Sequence, residues 1–209
     1  MIELTPEHLI GKGRARFCYH HPDDPDKCIK IDKHAIGGAT KKEARYYQKL
    51  GRIRPKVTYT HIPRFYGYVE TSLGPGGVFD LIRDDVTGDV SKSLGYYVRA
   101  GEVTADDPVW LEAHRIYLKT LYEEAIIIRD FNPGNVCVCK LRDGSLRFIT
   151  IDGIGHRFIL PFSDHWLWFA RSKLRRQVAR KNFGSIEGIL ARVAHKRKLF
   201  SLAADRRLE

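Results

Sequence analysis

The stretch "IIIRDFNPGNVCV", residues 126–138, sets two oxygen-bearing side chains, Asp130 and Asn135, five positions apart on a loop bounded by apolar runs. Asp, Asn, Pro and Gly each suit a turn for a separate stereochemical reason, so a solvent-exposed hairpin is the simplest account. The alternative is that Asp130 and Asn135 hold a nucleophile and a metal ion at the mouth of a cleft. A third such side chain, Asp152, ends the buried-type strand "FITID" and is followed directly by Gly153. A bare Asp-Gly turn would account for it. A carboxylate at the end of an apolar strand nevertheless has the placement typical of an active site. Asp130, Asn135 and Asp152 together point to chemistry; any one alone would not.

The elements that must position these residues divide in two. "LIGKGRARFCYHHPDDPDKCIKI", residues 9–31, alternates and turns like a β-hairpin with a Pro/Asp-rich connection at residues 22–26. In "KCIKI", Lys30 lies on the side of Cys28 while Ile29 and Ile31 face the other way. Such a lysine is either directed at a cleft or keeps an edge strand soluble. Gly37-Gly38 break the chain, and Thr40 predicts the cap of a helix that carries Glu43. "HIPRFYGYVE" and "GGVFDLIRD" read as two further strands about the turn "TSLGPG". Residues 1–82 thus predict a small antiparallel sheet with one helix, and the polar stretch after it, 83–90, a hinge. Beyond the hinge, Trp110, Ala113, Tyr117 and Leu121 recur at helical spacing, with Pro108 suited to the first turn. Mixed apolar faces predict deep burial of that helix. "VCVCKL" and "LRFITI" predict a strand pair about "RDGS". Two helices follow, the first with Trp166, Ala170, Leu174 and Val178 in register and a stop at Gly184, the second with Ile186, Ile189, Leu190 and Val193.

A Gly-rich hairpin (Gly11, Gly13), a strand lysine, a helix glutamate, an Asp-x-x-x-x-Asn loop and a strand-terminal Asp-Gly therefore fall in one order. In that order the sequence resembles the protein-kinase-like superfamily, and most closely the small kinase-like proteins of the PhoP regulatory network (YrbL-like). The resemblance runs from about Leu9 to Gly155, and the closer family covers nearly the whole chain. It implies a reduced kinase-like α+β bilobal fold: an N-lobe at 1–82, a hinge at 83–90 and a mainly helical C-lobe at 91–209, with ATP and Mg2+ between the lobes. On the family's pattern, the Gly11 and Gly13 amides would cover the phosphates, and Lys30, paired with Glu43, would hold the α- and β-phosphates. Asp130 would accept or orient the proton of the attacking hydroxyl, and Asn135 and Asp152 would ligate magnesium. The residues alone keep plainer readings open: a tight turn for the glycines and a solvated helix face for Glu43.

The sequence also departs from that pattern. Ile128 stands where the catalytic loop usually carries His, and Arg16 where the phosphate loop has its third glycine. Gly153 follows Asp152 with no Phe between them, Gly155 lends flexibility, and no Ala-Pro-Glu segment appears. Asn132 occupies the position of Lys in many protein Ser/Thr kinases, and "RDFNPGN" is more similar to small-molecule and lipopolysaccharide-sugar kinases. The resemblance implies an ATP/Mg-dependent phosphotransferase acting on a hydroxyl of an unknown acceptor, a small molecule or an envelope-related sugar. The departures suit an alternative, a pseudokinase-type regulatory scaffold that binds nucleotide without efficient turnover.

Composition bounds the rest. With 43% hydrophobic and 29% charged residues over 209 positions, the chain reads as globular and not disordered. No apolar run approaches the roughly 20 residues of a membrane span, and the amino terminus lacks a secretory layout, which predicts a cytoplasmic location. The four cysteines form no Cys-x-x-Cys pair and read as buried, reduced thiols, and the nine histidines make no metal-site spacing. From Arg171 to Glu209, twelve lysines and arginines face three acids, which concentrates most of the net charge of +11 there. These basic helices, from about residue 163, are either solvated surface or the receiving face for an acidic ligand, anionic lipid or regulatory protein. Nucleic acid finds no helix-turn-helix or stacking motif in support.

Overall fold

Alternation in the first third of the chain produces a five-stranded antiparallel sheet in the computed structural model, which describes residues 1–33, 38–155 and 167–205, with side chains as far as residue 195. Its strands are β1 (Leu9–Lys12), β2 (Arg16–His21), β3 (Asp24–Asp32), β4 (Phe65–Thr71) and β5 (Gly74–Asp80), in spatial order β1-β2-β3-β5-β4. The Pro/Asp connection is shorter than its composition suggests, because β3 already begins at Asp24. Register sorts the side chains by face. Phe17 and Tyr19 oppose Ile31 and Ile29 and join Leu4 and Val78 in a small outer cluster. Arg16, Cys18 and His20 oppose Asp32, Lys30 and Cys28, so these six share the other face.

Helix α1 (Ala39–Ile53) packs on that second face. Thr40 sits inside its first turn and does not cap it. Instead the Asp32 carboxylate of β3 accepts from the Thr40 N–H at 3.1 Å and its hydroxyl at 2.9 Å, satisfying an exposed helix-end donor from outside the helix.

The second lobe opens with α2 (Leu94–Ala100), a short helix hidden by the polar composition around it and capped by Ser93. Asp107 caps α3 (Pro108–Glu123), with Pro108 in the first turn. Trp110, Ala113, Tyr117 and Leu121 are buried, but Val109, Leu111 and Ile116 are 42%, 41% and 41% exposed, so α3 is amphipathic and not enclosed all round. Strands β6 (Val136–Lys140) and β7 (Leu146–Thr150) pair about residues 142–145. Two helices close the lobe, α4 (Leu167–Arg180) and α5 (Ile186–Asp205). Asn182, with φ 49°, turns the chain between them, ahead of Gly184. Trp166 lies outside the described residues.

The core of this lobe fixes the strand that leads to Asp152. Thr150, fully buried on β7, shares a 2.5 Å hydrogen bond with the Tyr117 hydroxyl, and its N–H donates to the His61 carbonyl at 2.9 Å. His61 Nδ1 lies 2.7 Å from the Phe148 carbonyl, and His114 Nε2 lies 3.0 Å from that of Phe183. All four cysteines are free thiols. Part of the C-terminal positive charge serves packing: Arg171 donates to the carbonyls of Tyr122 and Glu123 at the end of α3, and the Arg171 and Arg175 guanidinium groups lie over the Tyr122 ring. Among the described residues, no helix is long and apolar enough to cross a membrane.

Burial holds the His61 and His114 imidazoles below their ordinary value of 6.5, against backbone hydrogen bonds that favour the charged form. Below that value the unfolded chain takes up protons that the folded one refuses, so stability is complete above it and declines beneath it. Urea denaturation should therefore give a lower midpoint at about pH 5.5 than at about pH 7.5; equal midpoints would contradict this assignment.

Candidate active site

The loop that carries Asp130 is held by its own backbone. Ile126, Ile127 and Ile128 are buried but form no strand; Ile128 makes an isolated bridge to Ile154. On either side of it, Arg129 N–H donates to the Gly153 carbonyl and Gly155 N–H to the Ile127 carbonyl, each at 2.7 Å. Asn132 Oδ1 accepts from Gly134 N–H at 3.2 Å and starts the single 3-10 turn Pro133–Asn135. The Asn135 carbonyl then accepts from Ile151 N–H at 2.8 Å, immediately before Asp152. Asn135 Nδ2 donates to Asp130 Oδ2 at 3.3 Å, which leaves the amide oxygen as the end of that side chain for a ligand.

Two glycines make the close approach feasible. Gly153 has φ 78°, and a Cβ there would lie 3.0 Å from that of Asp130. Gly155 has φ 93°, and a Cβ there would sit 2.7 Å from the Tyr46 ring of α1. Any side chain at either position would be strained and would push Asp152 from Asp130, or α1 from the loop. Gly155 is thus a fixed contact point and not a hinge. Tyr46 completes it by accepting from Ile127 N–H at 2.9 Å through its hydroxyl. The Asp130 and Asn135 side chains meet, and the backbone that carries Asp152 is held against both segments.

The expected Lys30–Glu43 pair is replaced. Arg16 donates through Nη1 to Glu43 Oε2 and through Nη2 to Asp152 Oδ1, both at 2.5 Å. Arg16 is 5% exposed and Glu43 3%, while the Asp152 side chain keeps 42% of its surface open to the cleft. Lys30 Nζ instead donates to the Ile151 carbonyl at 2.6 Å and lies 4.2 Å from the Phe79 ring centre. Arg16 stands two residues from Cys18, which is opposite Lys30 in the ladder, so the two cations compete for the same space. The guanidinium fork reaches carboxylates in both lobes at once, which a single ammonium does not. Glu43 Oε1 remains buried without a hydrogen-bond partner.

Electrostatics follow the geometry. Burial pushes the Asp152 carboxyl up, but Arg16, Lys30 and the Gly153 N–H outweigh it and hold the group below its ordinary value. Burial likewise opposes the charge on Arg16, yet Glu43 and Asp152 hold its pKa above the usual one.

The glycine hairpin behaves as a turn. Gly13 N–H is committed to the Arg16 carbonyl at 2.8 Å, so that amide does not cover a phosphate as the sequence pattern implied. Gly11 lies within β1 beside open space, where an added Cβ would meet nothing within 4 Å.

Among the described residues, no group of three His, Cys, Asp or Glu side chains could hold a metal unaided. Asp152 and Asn135 do supply hard oxygen donors, on segments joined by the backbone bond from Ile151 N–H to the Asn135 carbonyl. That partial set fits magnesium, which keeps water and substrate phosphates in much of its shell. Two residues outside the sequence-based site also enter it: Arg16, and Lys181, whose Nζ lies 3.6 Å from Asp130 Oδ1.

A sheet lobe with one helix, a helical lobe, and between them a strand lysine, a helix glutamate, an Asp-x-x-x-x-Asn loop and an Asp-Gly turn define a kinase-like protein. The family model for the PhoP regulatory network protein YrbL matches residues 2–182, and the chain belongs to that family. The YrbL protein of Escherichia coli (strain K12) is 31% identical over 179 residues, covering 84% of each chain, and that of Shigella flexneri gives the same values. Overlap with solved kinase structures is partial. A mutant PknI kinase domain of Mycobacterium tuberculosis has 20% identity and a TM-score of 0.45, over 74% of this chain and 61% of that one. The CAK complex from Chaetomium thermophilum bound to ATP-gamma-S has 18% identity and a TM-score of 0.48, over 74% and 48%. The kinase-like class rests on the chain's own topology and residue order.

Replacing Arg16 with Ala strands the buried Glu43 carboxylate, so Arg16→Ala should cost about 3–5 kcal/mol in urea denaturation. The double variant Arg16→Ala/Glu43→Leu should recover most of that loss. A cost below about 1 kcal/mol, the scale of an exposed pair, would show that the bridge is not buried in solution.

Proposed function

We propose that the chain is an ATP- and magnesium-dependent phosphotransferase that moves the γ-phosphate to a hydroxyl of a small-molecule or envelope-related sugar acceptor. The observation that carries this reading is the contact of Asn135 with Asp130, on a loop whose backbone is bonded on either side of Asp152, with Lys30 on the carbonyl just before Asp152. Asp130, 45% exposed, is open to an acceptor hydroxyl, and Asn135 Nδ2 orients one of its oxygens. Its task is to take the hydroxyl proton as attack proceeds. Lys30, held over Phe79 and against the Ile151 carbonyl, would meet the nucleotide phosphates. Asp152 and Asn135 would hold magnesium, which when bound neutralises phosphate charge. ATP use puts the chain, on this reading, in the cytoplasm.

One observation favours a second reading, a pseudokinase-type scaffold that binds nucleotide without efficient turnover. Arg16 Nη2 sits on Asp152 Oδ1, an oxygen that a metal would use. Turnover then requires magnesium to displace a guanidinium already bonded there.

Thermal unfolding with and without Mg·ATP, followed by ATP turnover with sugar acceptors, separates the readings. Nucleotide at about a hundred times its dissociation constant should add roughly 2.7 kcal/mol to wild type. Turnover that Asp152→Asn removes supports the enzyme. A stability gain with no turnover supports the scaffold, and no gain rejects both.

A further inference from the structure

Asp130 is met from two directions. Asn135 Nδ2 approaches Oδ2, and Lys181 Nζ, from the turn just after α4, stands 3.6 Å from Oδ1. Contacts that do not involve the lysine's charge set its place. Asn182, at φ 49°, turns the chain sharply after α4, and the fully buried Phe183 ring lies 5.1 Å from that of Phe131, the residue after Asp130. Arg192 of α5 donates through Nη1 to two carbonyls at once, Phe131 at 2.6 Å and Lys181 at 2.9 Å. The backbones on both sides of the Asp130–Lys181 pair are therefore joined by one guanidinium and one tilted ring pair.

A pair whose side chains are 27% and 45% exposed contributes little to stability, so packing and not the pair's own attraction holds the ammonium there, half open to a ligand. A transferring phosphoryl group spreads negative charge over its outer oxygens, and Asp130 is a second anion beside it. Arg16 is engaged by Glu43 and Asp152, and Lys30 by the Ile151 carbonyl. Among the described residues, Lys181 is the cation paired with Asp130.

We propose that Lys181 is a catalytic residue that binds the γ-phosphate of ATP while Asp130 holds the acceptor hydroxyl; this rests on the phosphotransferase reading. As the acceptor oxygen bonds to the γ-phosphorus, the bond to the β–γ bridging oxygen breaks. That electron pair leaves with ADP, the hydroxyl proton passes to Asp130, and Lys181 stays protonated throughout. An ammonium held in advance against the outer oxygens stabilises charge where it develops.

Isothermal titration of a non-hydrolysable ATP analogue and of ADP, both with magnesium, tests this in wild type, Lys181→Ala and Lys181→Arg. Loss of a charged contact to the third phosphate should weaken the analogue at least tenfold or so in Lys181→Ala and leave ADP within about twofold. Lys181→Arg should retain most of the preference for the triphosphate. Equal weakening of both nucleotides would assign Lys181 a structural role and overturn the proposal. Unchanged binding of both would overturn it too, while leaving the phosphotransferase reading intact. Wild type that binds neither nucleotide would remove that reading, and this proposal with it.

Discussion

Arg16 carries a charge into a place that water scarcely reaches, and the described site is arranged around keeping it satisfied. Its two terminal nitrogens bond Glu43 of the strand lobe's helix and Asp152 of the helical lobe, so one side chain joins three elements that chain order keeps apart. Taking a guanidinium and a carboxylate out of water costs several kcal/mol each before their attraction returns any of it. The pairing therefore tolerates little displacement of α1 or of the Asp-Gly turn. With Lys30 close enough to act on Asp152, and Lys181 on Asp130, the cleft holds three cations and three carboxylates and is close to neutral without a ligand.

Around that bridge, position is set from the core outward. Tyr117 and His61 fix β7, β7 delivers Ile151 and Asp152, and Ile151 in turn binds both the Asn135 carbonyl and Lys30. Gly153 and Gly155 allow the turn to press on Asp130 from one side and on Tyr46 from the other. Preorganisation of this kind suits phosphoryl transfer, where the protein contributes position and charge more than covalent chemistry. It also explains why an arginine on Asp152 matters: in a site built by fixed geometry, the cation already present decides what must leave before another enters.

The parts of the site that were legible in sequence are local ones. Asp130 and Asn135 share a seven-residue loop, and Asp152 ends a strand whose alternation is plain, so spacing alone nominates them. The face that holds Lys30 was equally readable from "KCIKI", and the ladder places Lys30 there. What escaped was set by long-range competition. Whether Lys30 or Arg16 takes Glu43 depends on reach across strands, and Arg16 read only as a missing glycine. Asp32 capping α1 and Lys181 facing Asp130 are likewise contacts between residues far apart in the chain. Helix α2 was lost because seven residues in polar surroundings carry too little periodicity, and the exposed side of α3 because apolar residues on a helix do not say which face finds a neighbour.

A crystal structure of the protein with magnesium and a non-hydrolysable ATP analogue tests the central claim most directly. The account predicts magnesium bonded to oxygens of Asp152 and Asn135, with Arg16 withdrawn from Asp152 and still paired with Glu43. A cleft that stays empty at saturating nucleotide, with Arg16 still across both carboxylates, would contradict it.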